Sequence, residues 1–215
     1  MWLPMEVSTL LLMDMSASTG EDASSLSESD AAMKDREDGD KRVIDIEIES
    51  LVVVIEALNA LDDDYAVYGF SGQGKDKVDF YRIKDFQDAY SDELKLRISG
   101  IEPKQSTRMG TAIRHAYSKL RNVASDHRLL ILLSDGFPQD LDYGEDRKTR
   151  EYGLNDTMMA LIEAAKEGIK TFCITIDQAG NDYLRKMCNP GNYLVIKDIY
   201  SLPEILPKVV ESLMV

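Results

Sequence analysis

The sequence predicts an α/β fold with a doubly wound, mostly parallel central sheet, one antiparallel edge strand and helices on both faces. Segments with the length and composition of buried strands alternate along the chain with segments of helical periodicity, as expected for a parallel sheet covered on both sides. Residues 78–83 alternate instead between apolar and polar side chains, which is typical of a half-exposed edge strand. Apolar residues make up 44% of the 215 residues, enough to close one sizeable core.

The predicted strands are short apolar runs bounded by polar or glycine-containing segments. The loop at residues 71–76 is short enough to join the predicted strands 65–70 and 78–83 as a β-hairpin. The second strand of this pair should therefore be the antiparallel one. We predict strands at Ser8–Met13, Tyr65–Phe70, Val78–Ile83, Arg128–Leu133, Lys170–Ile176 and Tyr193–Ile196.

The predicted helices are marked by periodicity and by their end signals. In the first, one broad apolar face is expected to contain Ile44, Ile48, Leu51, Val52, Ile55 and Leu58. Asn155 or Asp156 should cap the fourth helix, and Gly168 should end it in a left-handed conformation. We predict helices at 43–61, 92–98, 109–123, about 156–167 and 201–213.

The charge of the chain is acidic and unevenly distributed. The net charge is −14, and residues 1–64 carry 17 acidic against 4 basic side chains. This balance argues against a nucleic-acid partner, because phosphate binding needs a basic surface. Eight of the acids lie in residues 19–41, where large apolar residues are scarce. We therefore expect a single domain over residues 1–215 with a mobile, solvated insertion at about 19–41.

Cysteines, histidines and apolar runs exclude several further classes. Two cysteines, Cys173 and Cys188, cannot form a disulfide framework or a four-thiolate zinc site. Two histidines, His115 and His127, are too few for a His-rich metal site. No apolar run approaches the roughly 20 residues that cross a bilayer, and the amino terminus has no basic segment of a secretory signal. We expect a cytoplasmic protein without membrane insertion.

Polar residues follow two of the buried strands. Asp14, Ser16 and Ser18 form a D-x-S-x-S pattern after the first strand, although the same pattern suits a turn whose side chains accept hydrogen bonds from backbone N–H groups. The strand at 128–133 runs into Ser134 and Asp135. Because ligands of such sheets bind beyond the carboxyl ends of the strands, these residues are the first candidates for a site.

A third segment brings more hydroxyl groups to this edge of the sheet. Thr107 directly precedes a predicted helix, whereas Thr111 lies about one turn inside it. Two carboxylates and three hydroxyls are thus expected to converge. Oxygen ligands of this kind favour Mg²⁺, Mn²⁺ or Ca²⁺ over zinc or copper.

The combination resembles a von Willebrand factor A domain with a metal-ion-dependent adhesion site. That family joins an aspartate–serine–serine loop to a threonine and an aspartate from two further loops. The spacing to the pair Ala112-Ile113 assigns the threonine role to Thr107 and not to Thr111. The resemblance implies a Mg²⁺ ion, with Mn²⁺ or Ca²⁺ as substitutes, and a partner protein whose Asp or Glu completes the coordination. The implied metal ligands are Asp14, Ser16, Ser18, Thr107 and Asp135.

Four longer strings are similar to the C-terminal domain of NorD and CbbO proteins, which activate nitric oxide reductase and rubisco. They are T-R-M-G-T-A-I-R-H-A (107–116), Y-G-F-S-G (68–72), S-D-G-F-P-Q-D-L-D-Y (134–143) and Y-G-L-N-D-T (152–157). The resemblance implies an adaptor that presents a client metalloenzyme complex to a MoxR-type AAA+ ATPase. The long N-terminal region of those proteins is missing and the acidic stretch is longer, so we expect an excised domain and leave the client open.

The residues favour binding over catalysis, and we expect the protein not to be an enzyme. A metal hydrolase needs a general base near the metal, and His115 and His127 are poorly placed for it. The main alternative is a standalone or chelatase-like binding module of the same family. A phosphatase of haloacid-dehalogenase type is disfavoured because Ser16 stands where that class carries its second aspartate. The segment 72–75 lacks the spacing of a nucleotide-binding P-loop.

Overall fold

The computed structural model describes residues 6–23, 41–60, 63–143, 151–177 and 179–214. The strands are β1 (Val7–Asp14), β2 (Asp64–Gly72), β3 (Val78–Lys84), β4 (His127–Ser134), β5 (Ile169–Thr175) and β6 (Tyr193–Val195). The helices are α1 (Val43–Ala60), α2 (Asp92–Ser99), α3 (Met109–Leu120), α4 (Glu151–Lys166), α5 (Gly180–Met187) and α6 (Leu202–Met214).

The strands form one six-stranded sheet in the order β3-β2-β1-β4-β5-β6. All neighbouring pairs are parallel except β2 and β3, so the predicted fold class with its antiparallel edge strand is confirmed. The strand order reverses around β1, which pairs with β2 on one side and β4 on the other. Met13 lies opposite Leu133, and the carboxyl ends of β1 and β4 are therefore neighbours at the position where such sheets bind ligands.

Helices cover both faces of the sheet. Leu11 and Met13 of β1 pack with α1, α2 and α6, whereas Leu10 and Leu12 pack with α3, α4 and α5. Every residue of β1 is buried because a central parallel strand contacts helices on both sides. None of the helices in the described ranges is long and apolar enough to span a bilayer.

Helix α1 buries Ile44, Leu51, Ile55 and Leu58 as predicted, but its buried face departs from the prediction at other positions. Val52, which was expected on the buried face, is 38% exposed, and Ile48 is only half-buried. Val54 and Glu47 are buried instead. The prediction was wrong here because hydrophobic periodicity assigns an acidic side chain to solvent, whereas this helix turns one inward.

Helix α4 begins earlier than predicted. Glu151 is already helical, so Asn155 and Asp156 lie inside the helix and cap nothing. The Asp156 carboxylate accepts hydrogen bonds from Arg114 Nη1 at 2.6 Å and from the Tyr143 hydroxyl at 2.9 Å. The side chain that was expected to cap the helix therefore binds residues from other segments, and local sequence patterns do not reveal such contacts.

Other boundaries differ by smaller amounts. Helix α3 ends at Leu120, three residues before the predicted end at Val123. Helix α5 was not predicted; before it, Asp177 Oδ1 accepts a hydrogen bond from Ala179 N at 2.9 Å. Gly168 has φ +74°, as its predicted left-handed role requires.

The beginning of the predicted acidic insertion is part of the fold. Thr19 and Ala23 are fully buried, and Ala23 N donates a hydrogen bond to Lys41 O at 2.9 Å. The expectation of a solvated segment is therefore wrong for Thr19 and Ala23, whereas Glu21 and Asp22 are exposed as expected. Residues 24–40 lie outside the described residues.

Candidate metal centre

Asp14 ends β1 and is completely buried. Its Oδ1 accepts a hydrogen bond from Ser16 N at 2.9 Å, and its Oδ2 accepts one from Ser134 Oγ at 2.8 Å. The first bond turns the chain after β1, as the turn interpretation of the D-x-S-x-S pattern anticipates. The second joins the ends of β1 and β4.

The two serine hydroxyls of the pattern lie side by side. Ser16 Oγ and Ser18 Oγ are 3.1 Å apart and share a hydrogen bond. The chain then enters a short 3₁₀ helix, Ala17–Gly20, in which the Thr19 hydroxyl donates to Ser16 O at 2.7 Å. This compact turn presents both hydroxyls on one side.

Backbone hydrogen bonds bring Thr107 to the same place. Gln105 O accepts from Ala17 N at 2.7 Å, and Ser106 O accepts from Gly72 N at 2.6 Å. Thr107 N donates to Gln139 O at 2.8 Å in the loop after β4. Thr107 is buried at the site, whereas Thr111 is exposed on α3 and does not line the cavity.

Four of the five predicted ligands line one cavity of about 410 Å³ at the carboxyl edge of the sheet. They are Ser16, Ser18, Thr107 and Asp135. The fifth, Asp14, is buried and is held in place by its hydrogen bonds with Ser16 N and Ser134 Oγ. Asp135 Oδ1 is buried and has no hydrogen-bond partner among the described residues. The structure therefore brings the five predicted residues together.

The site is electrostatically unfavourable without a cation. Burial is the main cause that raises the pKa of Asp14, and the charge of Asp135 raises it further. Burial also raises the pKa of Asp135, against the hydrogen bond with Ser18, which lowers it. Within the described ranges, no group of three or more His, Cys, Asp or Glu side chains is placed to hold a metal. The donors present are two carboxylates and hydroxyls, which fit a hard divalent cation.

A buried ion pair braces the loops around the cavity. Arg108 Nη1 donates to Asp140 Oδ2 at 2.6 Å, with the two side chains 8% and 0% exposed. Asp140 Oδ1 accepts from Gly74 N at 2.9 Å, and the Arg108 guanidinium stacks 4.6 Å from the Tyr143 ring centroid. The pair ties the segment that carries Thr107 to the loops after β2 and β4.

Sequence reasoning missed the ion pair that braces the site loops and the burial of a carboxylate in α1. The pairing of Arg108 with Asp140 has no local signature, because 32 residues separate them. Glu47 had a signal, since it occurs four residues from both Val43 and Leu51 in an otherwise apolar stripe.

A larger cavity of about 930 Å³ lies at the opposite edge of the sheet, near the starts of β4 and β5. Its charged lining consists of four basic side chains and contains none of the predicted ligands. They are Lys166, Lys170, Arg185 and Lys186. Because these groups repel cations, we place the candidate metal centre in the smaller cavity.

A family model of the von Willebrand factor type A domain matches residues 43–208. The chain belongs to this family. The match contains Thr107 and Asp135 and begins after the loop with the D-x-S-x-S pattern. Domains of the family generally mediate protein–protein interaction.

The similarity to NorD proteins is also confirmed. The chain is 40% identical over 193 residues to Protein NorD of Stutzerimonas stutzeri, covering 90% of this chain and 29% of that protein. It is 39% identical over 201 residues to an uncharacterized protein of Pseudomonas aeruginosa, covering 94% of this chain and 30% of that protein. It therefore spans less than a third of the length of these curated relatives.

Two solved structures with the same fold are bacterial pilus proteins. The PilB minor pilin from Streptococcus sanguinis matches with a TM-score of 0.74 and 16% identity, over 100% of this chain and 62% of that one. The vWF domain of the type V pili tip protein Mfa5 from Porphyromonas gingivalis matches with a TM-score of 0.66 and 10% identity, over 100% and 98%. At these identities the likeness shows the fold alone.

The raised pKa of Asp14, about 7 against 3.8, predicts a pH dependence of stability in EDTA. The folded domain keeps this proton longer than the unfolded chain, so the contribution to stability is full below the unfolded pKa and is lost as pH rises toward the folded one. Between about pH 5 and 7.5, wild type should lose about 2.5 kcal/mol more than Asp14→Asn, seen as a relative Tm decrease of about 7 °C. Parallel Tm curves for the two proteins would contradict the prediction.

The buried ion pair predicts a large effect of one substitution. Asp140→Asn leaves the Arg108 guanidinium buried without its charge partner, which should lower the free energy of unfolding by about 3 kcal/mol. Asp142→Asn is the matched control, because exposed Asp142 accepts a hydrogen bond from Lys75 N in the same loop and should change it by less than about 1 kcal/mol. Urea unfolding measures both. Equal decreases in the free energy of unfolding for Asp140→Asn and Asp142→Asn would show that the ion pair does not brace the loops.

Proposed function

We propose that this chain is a Mg²⁺-dependent protein–protein interaction domain. It would be the adaptor part of a NorD/CbbO-like activator that works in the cytoplasm with a MoxR-type AAA+ ATPase on a client metalloenzyme complex. One observation carries the proposal. Side chains from three separate loops converge at the carboxyl edge of the sheet, and all of their donor atoms are oxygens.

The residues that would hold the ion are Asp14, Ser16, Ser18, Thr107 and Asp135. Three of them are neutral, so the ligand set offsets the charge of a divalent ion with two carboxylates alone. A bound ion would supply an electrophilic coordination position for an external Asp or Glu carboxylate, and Mn²⁺ or Ca²⁺ accept the same donors. The chain supplies the fixed positions of these oxygens through the backbone hydrogen bonds and the ion pair described above.

The surroundings of the cavity support binding over hydrolysis. His115 packs against the ring of Phe80, with centroids 4.4 Å apart, and burial lowers its pKa. It does not line the cavity, and within the described lining the carboxylates are Asp135, a predicted ligand, and Asp140, which is paired with Arg108. A general base free to activate water is therefore missing from this lining.

The similarity to NorD proteins supports the adaptor role. A standalone or chelatase-like binding module is the alternative, since it would use the same metal centre with another partner. A Mg²⁺-dependent phosphatase would instead hydrolyse a generic phosphate ester such as p-nitrophenyl phosphate, and we expect no turnover.

Metal binding should depend on one of two neighbouring threonines. In calorimetric titrations of Mg²⁺ and Mn²⁺ into the metal-stripped domain, Thr107→Ala should weaken binding at least about tenfold, as loss of even an indirect partner of a metal ligand does. Thr111→Ala is the matched control and should bind as wild type, because this side chain is exposed away from the cavity. Equal effects of the two substitutions, or the reverse order, would show that the ligand assignment is wrong.

Partner binding should require both the ion and Asp14. Immobilised wild-type domain should retain the MoxR-type ATPase of the same organism in Mg²⁺ and release it in EDTA. Asp14→Ala should fail to retain it, while Thr111→Ala should retain it. Retention in EDTA would contradict the metal-dependent mechanism, and failure of wild type in Mg²⁺ would favour the module with another partner.

A further inference from the structure

Helix α1 carries a buried carboxylate that has no partner in the part of the chain that the structure describes. Glu47 is fully buried, and neither Oε1 nor Oε2 has a hydrogen-bond partner among the described residues. It lies one turn from both Val43 and Leu51 in the stripe that packs on the sheet. An uncompensated carboxylate in such a place is strongly unfavourable, and its position therefore requires a physical reason.

The basic residues at the start of α1 do not provide a counter-charge. Lys41 Nζ pairs with Glu49 at 2.8 Å, and Arg42 pairs with Asp45 at 2.8 Å. Both pairs are partly exposed at the surface of the helix. They are accounted for without the buried carboxylate.

The carboxylates that act on Glu47 belong to the candidate metal centre. Burial is the largest cause of its raised pKa, followed by the charges of Asp135 and Asp14. The amino end of α1 is attached to the site loop, because Val43 N donates to Glu21 O at 3.0 Å directly after the 3₁₀ turn. Glu47 is therefore one turn along the helix from this attachment.

We infer that Glu47 is a positioning residue of the metal centre, whose carboxylate accepts hydrogen bonds from water bound in the site and adds a third negative charge behind it. This inference rests on the proposed function, since it needs a cation in the cavity. Direct ligation is not favoured, because no three carboxylates of the described residues are placed to share one ion. Coordinated water is the donor that would satisfy both orphaned oxygens.

The role predicts opposite effects on stability and on affinity. Without a cation, a third buried carboxyl near Asp14 and Asp135 disfavours the fold. With a divalent ion present, the same group stabilises the bound state. A residue that only fills space would not link the two properties in this way.

The test compares Glu47→Leu and Glu47→Gln with Glu49→Gln, an exposed position on the same helix. Mn²⁺ is titrated into each stripped protein and free Mn²⁺ is followed by electron paramagnetic resonance, while Tm is measured in EDTA. We expect Glu47→Leu and Glu47→Gln to raise the Kd for Mn²⁺ by about tenfold or more. We expect the Tm of Glu47→Leu in EDTA to equal or exceed that of wild type, and Glu49→Gln to keep the wild-type Kd.

Two results would overturn the inference, and they are distinguishable. If wild type binds Mn²⁺ and the folded Glu47 variants bind it equally well, Glu47 is not part of the centre but the proposed metal site stands. If wild type itself binds no Mn²⁺, the proposed metal site fails and the role of Glu47 fails with it.

Discussion

Two carboxylates at the ends of neighbouring parallel strands are the constraint on which the rest of this structure depends. Asp14 ends β1 and Asp135 follows β4, and neither forms an ion pair among the described residues. Burial raises the pKa of both, and the charge of Asp135 adds to the effect on Asp14. The strand order places them together, so the fold itself creates a concentration of negative charge that a divalent cation can relieve.

Much of the surrounding sequence holds this arrangement in place. The ion pair between Arg108 and Asp140 fixes the segment with the predicted threonine ligand. Gly110 allows the Asp156 carboxylate to lie against α3, since a Cβ there would overlap that carboxylate. Arg114 then binds Asp156 across the interface between α3 and α4. The strings that resemble NorD proteins thus contain the frame of the cavity as well as two of its predicted ligands.

The sheet and the candidate ligands could be predicted because each has a local signal. Buried strands are continuous apolar runs, and their carboxyl ends meet at one edge, which places residues such as Asp14 and Asp135 before any coordinate is known. The spacing of the family pattern also separated Thr107 from Thr111, and the structure places them at different surfaces.

The missed features depend on contacts between distant segments. Asp156 is a residue type that often caps helices, but its carboxylate accepts a hydrogen bond from Arg114, 42 residues earlier in the chain. Glu47 reads as a solvent-facing acid, although it is fully buried, and burial together with the charges of Asp135 and Asp14 raises its pKa. Periodicity assigns a charged side chain to water, and it fails where tertiary packing buries one. The same physical reason links both the error in α1 and the inference about the metal centre.

Anomalous scattering from a crystal soaked in Mn²⁺ tests the central claim most directly. Data collected at the manganese absorption edge locate the ion without assumptions about its ligands. The account predicts one dominant peak in the cavity, within coordination distance of the Ser16 and Ser18 hydroxyls. A cavity without a peak, or a dominant peak elsewhere on this acidic protein, would contradict it.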